Sequence, residues 1–499
     1  MSLRPAGGAG RSALVVAAVV VAGVLLSRIW LLAQPPTFSD IPAYQHDAAL
    51  WGAAGEEGVS FYGLHRAYVI ATSEALGHEP PEGTTLIEYP PLALGFVAAV
   101  NLGLPSSTDP QDPALLQAYT DRYRLLAFAV DLGVLLVLTA LALRGGVRAV
   151  TPARAGPRLA RGWALDGAWR LAVFGTGGVA IYYILYDRLD LFEGALLLAS
   201  LLTLIRGWWR VALVLLGVAI AFKVYPAVLA PLWLVASLPA GWLATAGRDP
   251  GRLALALLRR TALLGCTVVA IFVPFLVLQG PDALQFIAFN AQRGVQLESV
   301  GAAVLLVLQA FGSPLDIVAR YGAYEVVGPL APAVAAASIP LTGLAVLFVG
   351  LLFLRAVRRD LAGPGVDTAA GRDGPDEAIV AARAPGLVTL ATVATLMLVL
   401  VTAKVLSPQY LLWLLPLVPL LDGGRAMRLW QAGFVGLLAL STVVFPGLYS
   451  SGALSFAIVV RDAVLVVLAF AICAALASGR FGDRHGALAE ARPQVVAEA

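Results

Sequence analysis

The chain has 499 residues, of which 59% are hydrophobic and 13% charged, with a mean hydropathy of +0.83. Soluble globular chains carry about a quarter charged residues, so that class is excluded; repeated apolar stretches of about 20 residues mark a multi-pass membrane protein. The net charge of +3 is too small to imply a nucleic-acid partner, and the two cysteines, Cys266 and Cys473, lie inside apolar runs, which offers neither a disulfide framework nor a zinc knuckle.

The N-terminal stretch "SALVVAAVVVAGVLLSRIWLLA" is too long for a cleaved signal and no small-residue cleavage site follows, so it is expected to be the first transmembrane helix. Further spans are predicted near 121–143, 169–186, 189–205, 209–223, 226–241, 260–278, 330–354, 386–404, 409–421, 428–447 and 457–477, with the first over 12–34. The fold class is therefore an all-α, multi-pass transmembrane helical bundle of about 12 spans, forming one membrane domain over 1–478 with a tail at 479–499. Arginine collects in 144–170, 248–260, 355–383 and 478–492, which marks those connections and both termini as cytoplasmic. The protein is thus expected in the cell (inner) membrane. Two long connections, 35–120 and 279–328, fall on the outer side. Their short apolar stretches "PPLALGFVAAVNLGLP" and "VGAAVLLVLQAFG" predict interfacial or re-entrant helices. The polar, Gly-rich insert 360–385, within the cytoplasmic loop 355–385, reads as a flexible loop without chemistry.

Polar residues set in apolar surroundings gather on the outer face. Asp40 and Tyr44 follow the first helix in "SDIPAYQHDAALW", and Glu88 and Tyr89 precede a proline pair in "LIEYPPLAL". Asp187, Arg188 and Asp190 share a short turn in "YYILYDRLDLF", where a self-compensating set of ion pairs is as good a reading as a substrate contact. Arg293 and Glu298 stand at the mouth of the second long loop, and Gln409 and Tyr410 fall in "SPQY". Ionisable groups at such depth usually mark substrate paths. Asp131 and Asp462 sit near outer helix ends, and Asp462 with Arg461 reads as a structural pair.

Lysine is used only twice, as Lys223 in "FKVYPAVLAPLWL" and Lys404 in "AKVLSPQYLLWLLPL". Both precede a proline that ends a helix and turns the chain back. A lysine at a helix end ordinarily snorkels to the interface. Two matched lysines in a chain that otherwise uses arginine point instead to an anion, which lysine binds as a compact point charge. The loop residues His46, His65 and His78, with Asp40, Asp47 and Glu57, lack metal-ligand spacing, so neither a metal nor another cofactor is expected.

The segments "SDIPAY", "EYPPLAL", "YDRLDLFEGALLL", "FKVYPAVLAPL", "QRGVQLESVGA" and "SPQYLLWLLPL", in this order, resemble those of the polytopic glycosyltransferases of the GT-C class. The nearest likeness is to the polyprenol-phosphate-mannose-dependent glycosyltransferase family 87, from about residue 25 to 415. The resemblance implies a membrane enzyme that takes a sugar from a polyprenyl-phosphate donor on the outer face, with a catalytic aspartate in the first outer loop, here Asp40. It does not specify whether that sugar is mannose, another hexose or a pentose. The chain departs from the pattern in the stretch "GLHRAYVIATSEALGHEPPEGTT", which lengthens the first outer loop.

The residues suit that chemistry independently. Lys223, Lys404, Arg293 and Arg188 are candidates for the donor phosphate, where they would offset charge growing on the leaving group. Asp40 is the candidate base for a hydroxyl of a lipid or glycan acceptor, with Glu88 second, giving transfer with inversion. Tyr44, Tyr89, Asp187, Asp190, Glu298, Gln409 and Tyr410 are candidates for substrate contact. The expected partners are the donor, the acceptor and membrane lipids. A lipid-linked sugar flippase or secondary transporter is the alternative, and would call for repeats and interrupted helices. A structural membrane protein would have no need of matched lysines.

Overall fold

The computed structural model describes residues 8–36, 39–104, 112–150, 157–244, 250–361 and 378–479. Of the arginine-rich stretches expected on the cytoplasmic side, residues 151–156, 248–249 and 362–377 lie outside the described residues, as does the tail from 480 onward.

Helix α1 (Gly8–Ala33) leads into the first long connection, which holds α2 (Ile41–Glu57), α3 (Phe61–Ala75) and the short α4 (Pro91–Val100). Then follow α5 (Pro113–Val150), α6 (Pro157–Ala180), α7 (Asp190–Ile205), α8 (Trp209–Phe222), α9 (Ala230–Ala236) and α10 (Ala240–Ala244). The next helices are α11 (Pro250–Gln279), α12 (Gln285–Gln292), α13 (Val300–Ala310), α14 (Ala331–Leu361), α15 (Val380–Arg383), α16 (Pro385–Thr402), α17 (Arg425–Thr442) and α18 (Leu454–Ser478).

Among the described residues, seven helical stretches are long and apolar enough to cross a membrane: 15–33, 113–143, 250–292, 331–360, 385–402, 425–447 and 454–478. The chain is therefore a helical protein with the makings of a membrane bundle, in which seven rather than twelve helices among the described residues have spanning length. The difference lies in the middle of the chain. Helix α7 has 16 residues and α8 has 14, about 24 and 21 Å at 1.5 Å per residue, against a hydrocarbon core of about 30 Å. The stretch expected at 226–241 is broken into a 3-10 turn and the short α9 and α10. The one expected at 409–421 is 3-10 over Pro408–Trp413 and again over Val418–Leu420. Pro408, Pro416 and Pro419 deny it backbone donors at close intervals, so an α-helical ladder cannot run through it.

These short elements are buried. Helix α7 packs on α8, on α5 and on the 3-10 segment at 408–413, while α16 packs on α14 and α18 and is buried over most of its length. Gly194 allows the closest of these approaches, because a Cβ there would lie 2.6 Å from the Leu412 carbonyl oxygen. The longer helices carry outward apolar side chains, such as Val269, Val277 and Leu278 on α11 and Ile339, Leu344 and Leu351 on α14. That is the pattern of helices that face lipid.

Two sets of charged residues inside the bundle are paired. Arg28 and Asp131, both fully buried, bond at 2.7 Å, and Arg28 also donates to the carbonyls of Phe174 and Gly175. Arg461 bonds Asp462 at 2.8 Å, as expected of that pair, and reaches Glu298 at 3.1 Å.

Two findings depart from the sequence reading of the loops. The second long connection is not purely helical: β1 (Val295–Gln296), β2 (Asp316–Arg320) and β3 (Ala323–Val327) form an antiparallel sheet in the order β1-β3-β2. Its hairpin turns at Tyr321 and Gly322, whose φ values are 51° and 68°, the left-handed pair that a two-residue hairpin turn demands. The end of the insert 360–385 is also structured. Val380 donates its backbone N–H to the Leu238 carbonyl, and Val380 and Ala381 are buried. Residues 362–377 of that insert lie outside the described residues.

Candidate active site

The two long connections meet over one cavity. Phe61 N–H donates to Gln279 Oε1 at 2.8 Å, and Tyr321 N–H donates to the Glu82 carbonyl at 2.9 Å. Arg320 pairs with Glu82 at 3.1 Å. The Tyr321 ring lies over Gly83, where a Cβ would stand 2.1 Å from the ring and where φ is +85°.

Beneath this contact is a cavity of about 170 Å³, with Glu88, Tyr89, Lys223, Tyr225, Tyr410 and Trp413 at its polar end and Phe286, Val399, Leu400 and Val405 along its apolar wall. Residues from four distant segments thus line one space. Lys223 follows α8, where the chain leaves the helix as an extended residue before Tyr225–Leu229. Its ammonium donates to Asp190 Oδ1 at 2.7 Å and lies 5.8, 5.1 and 5.7 Å from the ring centres of Tyr89, Tyr410 and Trp413. Such a cage holds a cation by the negative faces of the rings. Trp413 Nε1–H donates to the same Asp190 oxygen at 2.5 Å. Tyr225, Trp413 and Tyr410 stack in series, so the cage is stiff.

The acids divide between the cavity and its surroundings. Glu88 lines the cavity and faces Arg293 Nη1 at 3.6 Å. Arg293, nearly buried, also lies 3.8 Å from Glu325 on β3. Burial raises the Glu325 carboxyl above the usual range, against the opposing pull of Arg293. Asp40, at the N-terminus of α2, pairs with Arg188 and accepts from Tyr44 Oη at 3.5 Å. Tyr44 Oη lies 3.4 Å from Tyr89 Oη, and Tyr89 lines the cavity. Asp40 therefore stands one layer behind the wall, connected to it by two phenols.

The other candidates are placed as follows. Lys404 is anchored in protein: its ammonium donates to the carbonyls of Ala291, at 3.1 Å, and Arg293, at 2.5 Å, at the C-terminal end of α12. Its neighbours Ala403 and Val405 line the cavity. Asp187 pairs with Arg124 at 3.1 Å, Glu298 belongs to the Arg461 cluster, and Gln409 is buried beside Tyr410. Among the loop histidines, His65 sits 3.8 Å from Asp47 and bonds the Thr84 carbonyl, and the His46 ring lies tilted against Tyr68.

The sequence reading passed over Tyr225, Trp413 and Glu193. Each had a signal: Tyr225 stands two residues after Lys223, Trp413 three after Tyr410, and Glu193 is an acid one helical turn beyond Asp190 in an otherwise apolar run. No protein-family model matches this chain, and no curated protein sequence is significantly similar to it.

Proposed function

We propose that the protein is a membrane glycosyltransferase that moves a sugar from a polyprenyl-phosphate donor to a lipid or glycan hydroxyl on the outer face. The short interior helices complete about 12 crossings in this reading, both ends are cytoplasmic, and neither metal nor other cofactor is required. The observation that carries it is the two-ended cavity. Lys223, with Arg293 next to Glu88, supplies positive charge at one end, and Phe286, Val399, Leu400 and Val405 supply an apolar wall. A prenyl-phosphate sugar has that same division, an anion joined to a hydrocarbon.

In the reaction the acceptor oxygen bonds the anomeric carbon from the face opposite the phosphate. The carbon–oxygen bond to phosphate breaks and its electron pair leaves with the phosphate. The acceptor proton passes to a carboxylate, Asp40 by the resemblance or Glu88 as the second choice. Lys223, Arg293, Arg188 and Lys404 are the cations available to the leaving phosphate. Tyr44 and Tyr89 link Asp40 to the cavity.

The test uses the full chain in nanodiscs with a panel of polyprenyl-phosphate sugars and a lipid acceptor. Asp40→Asn keeps shape and removes basicity. Turnover should fall by about 10²–10⁴ with donor binding retained. Wild-type turnover in that variant would pass the role to Glu88, tested as Glu88→Gln. One observation favours a second reading: the buried, broken segment at 408–420 has the character of the interrupted helices around transporter sites. A flippase would move the donor across proteoliposome membranes and form no new glycoside.

A further inference from the structure

The end of α8 opposite the cavity carries arginines that the reaction leaves unused. Helix α8 starts at Trp209, and its other end delivers Lys223 to the cavity. Its 14 residues set the two ends about 21 Å apart at 1.5 Å per residue. The Arg210 Cζ stands 5.0 Å, and the Arg260 Cζ 4.4 Å, from the centre of the Trp209 ring. Two guanidiniums, one from α8 and one from α11, thus share a single indole. Arg260 is buried and spends its nitrogens on neutral oxygens. Its Nε donates to Ser237 Oγ at 3.0 Å, Nη2 to the Ser237 carbonyl at 3.0 Å and Nη1 to the Ala256 carbonyl at 3.2 Å. Arg210 is exposed. Among the described residues neither guanidinium pairs with a carboxylate, and the stretches around them, 194–248 and 250–281, contain no acid.

Helices α8 and α11 run in the same direction, because Trp209 meets Arg260 and a Cβ on Gly217 would lie 2.8 Å from Thr267. Helix α11 begins at Pro250, ten residues before Arg260, so it extends about 15 Å beyond the start of α8. The start of α8 is therefore recessed beside α11. In the next turn of α8, Val211 and Val214 face outward. Two cations thus stand directly over an outward apolar stripe. An inorganic anion would use only the cations, whereas a phospholipid would use both, with its phosphate on the arginines and its chains on the valines. Trp208, 60% exposed beside them, is the residue type that settles at the headgroup level. Basic recesses between membrane helices hold anionic head groups in this way.

We infer that Arg210 and Arg260, ordered around Trp209, form a headgroup site for one anionic phospholipid whose acyl chains lie along Val211 and Val214. The inference rests on the long helices spanning a membrane and not on the sugar transfer. The bound phosphate would offset two like charges on one ring and tie α8 to α11 at the end remote from Lys223.

Full-length protein in dodecyl maltoside is titrated with phosphatidylglycerol, with phosphatidylcholine or with inorganic phosphate, and thermal unfolding is followed. Binding to the folded state alone raises the midpoint saturably with ligand concentration. Phosphatidylglycerol should raise it along a one-site curve, and neither of the others should. Arg210→Gln, a change at an exposed position, should move half-saturation upward by about fivefold or more, the worth of one arginine near an anionic surface. Arg358→Gln, which removes an exposed arginine from α14, should leave the response unchanged. Phosphatidylglycerol with a diazirine on its acyl chain should label 208–218 on irradiation, and less so in Arg210→Gln. Equal responses to the two lipids, or an equal rise with inorganic phosphate, would overturn the assignment without any variant. So would an undiminished response in Arg210→Gln, an equal loss in Arg358→Gln, or label confined to other helices.

Discussion

At the residue scale, the two lysines are held in different ways. Lys223 is paired with Asp190, so its removal leaves a buried carboxylate without its ion-pair partner. Lys223→Met should destabilise the fold by about 3–5 kcal/mol. The double variant Lys223→Met/Asp190→Asn should recover a good part of that loss, read as the thermal midpoints of the set. Lys404 instead satisfies carbonyls at the end of α12, and Lys404→Ala should cost about 1.5–3 kcal/mol, the worth of hydrogen bonds from a charged donor. If Lys404→Ala unfolds at the wild-type midpoint, those bonds contribute nothing net.

Asp47, on α2, gives a pH signature. Burial pushes its carboxyl up to about 7, while burial lowers the imidazole of its neighbour His65. The folded state holds the Asp47 proton more tightly than the unfolded chain, whose carboxyl titrates near 3.9. Its contribution to stability is present in full below that value and is lost as pH rises to about 7. His65 acts in the opposite sense: the unfolded chain takes up its proton first as pH falls below about 6.5, so that contribution is lost toward acid. Asp47→Asn should therefore flatten the decline between about pH 4 and 7 and leave the histidine's rise exposed. Thermal midpoints of the two proteins measured across that range are the check; parallel curves would rule the group out.

At the element scale, legibility followed the physical signal. Long apolar runs such as 331–360 and 454–478 were readable as helices because one property, hydropathy over about 20 residues, decides them. The interior segments were not, because burial against protein and burial in lipid call for the same residues. Only the proline spacing at 408, 416 and 419 distinguishes a 3-10 segment from a span. The hairpin at 316–327 was missed although "DIVARYGAYEVV" has β-branched residues around a Tyr-Gly turn. The candidate acids were readable as isolated charges in apolar context, but the cage around Lys223 depends on three rings from two distant segments that only packing brings together.

The hairpin also supports a local prediction. Gly83→Ala would place a methyl against the Tyr321 ring at a φ of +85°. It should loosen the contact between the two long connections by more than about 1 kcal/mol. Amide hydrogen exchange over 316–327 should accelerate while exchange in α16 stays unchanged; equal protection in both proteins would mean the contact is dispensable.

At the scale of the whole molecule, the direct contacts of residues 61 and 82 with residues 279 and 321 require both long connections to lie on one side. Single cysteines at Ser60 and Ser313, in a background lacking Cys266 and Cys473, should therefore react alike with an impermeant thiol reagent applied to intact cells. A cysteine at Thr368, which lies outside the described residues, should react only after permeabilisation if arginine bias sets the orientation. Labelling at 368 in intact cells would reverse the topology.

The seam between Glu82 and Arg320 has a consequence for biosynthesis. The first half of the seam leaves the ribosome about 240 residues before the second, a wait of roughly 12–48 seconds at ordinary rates of synthesis. During that interval the first long connection stands without its contact to the hairpin, and Glu88 lacks Arg293 opposite it. A chain arrested before residue 290 should expose the region around 76–90 to protease, and one released after 330 should not. The site is thus assembled late, by the return of a distant hairpin, and the nascent chain passes most of its membrane insertion without a closed cavity.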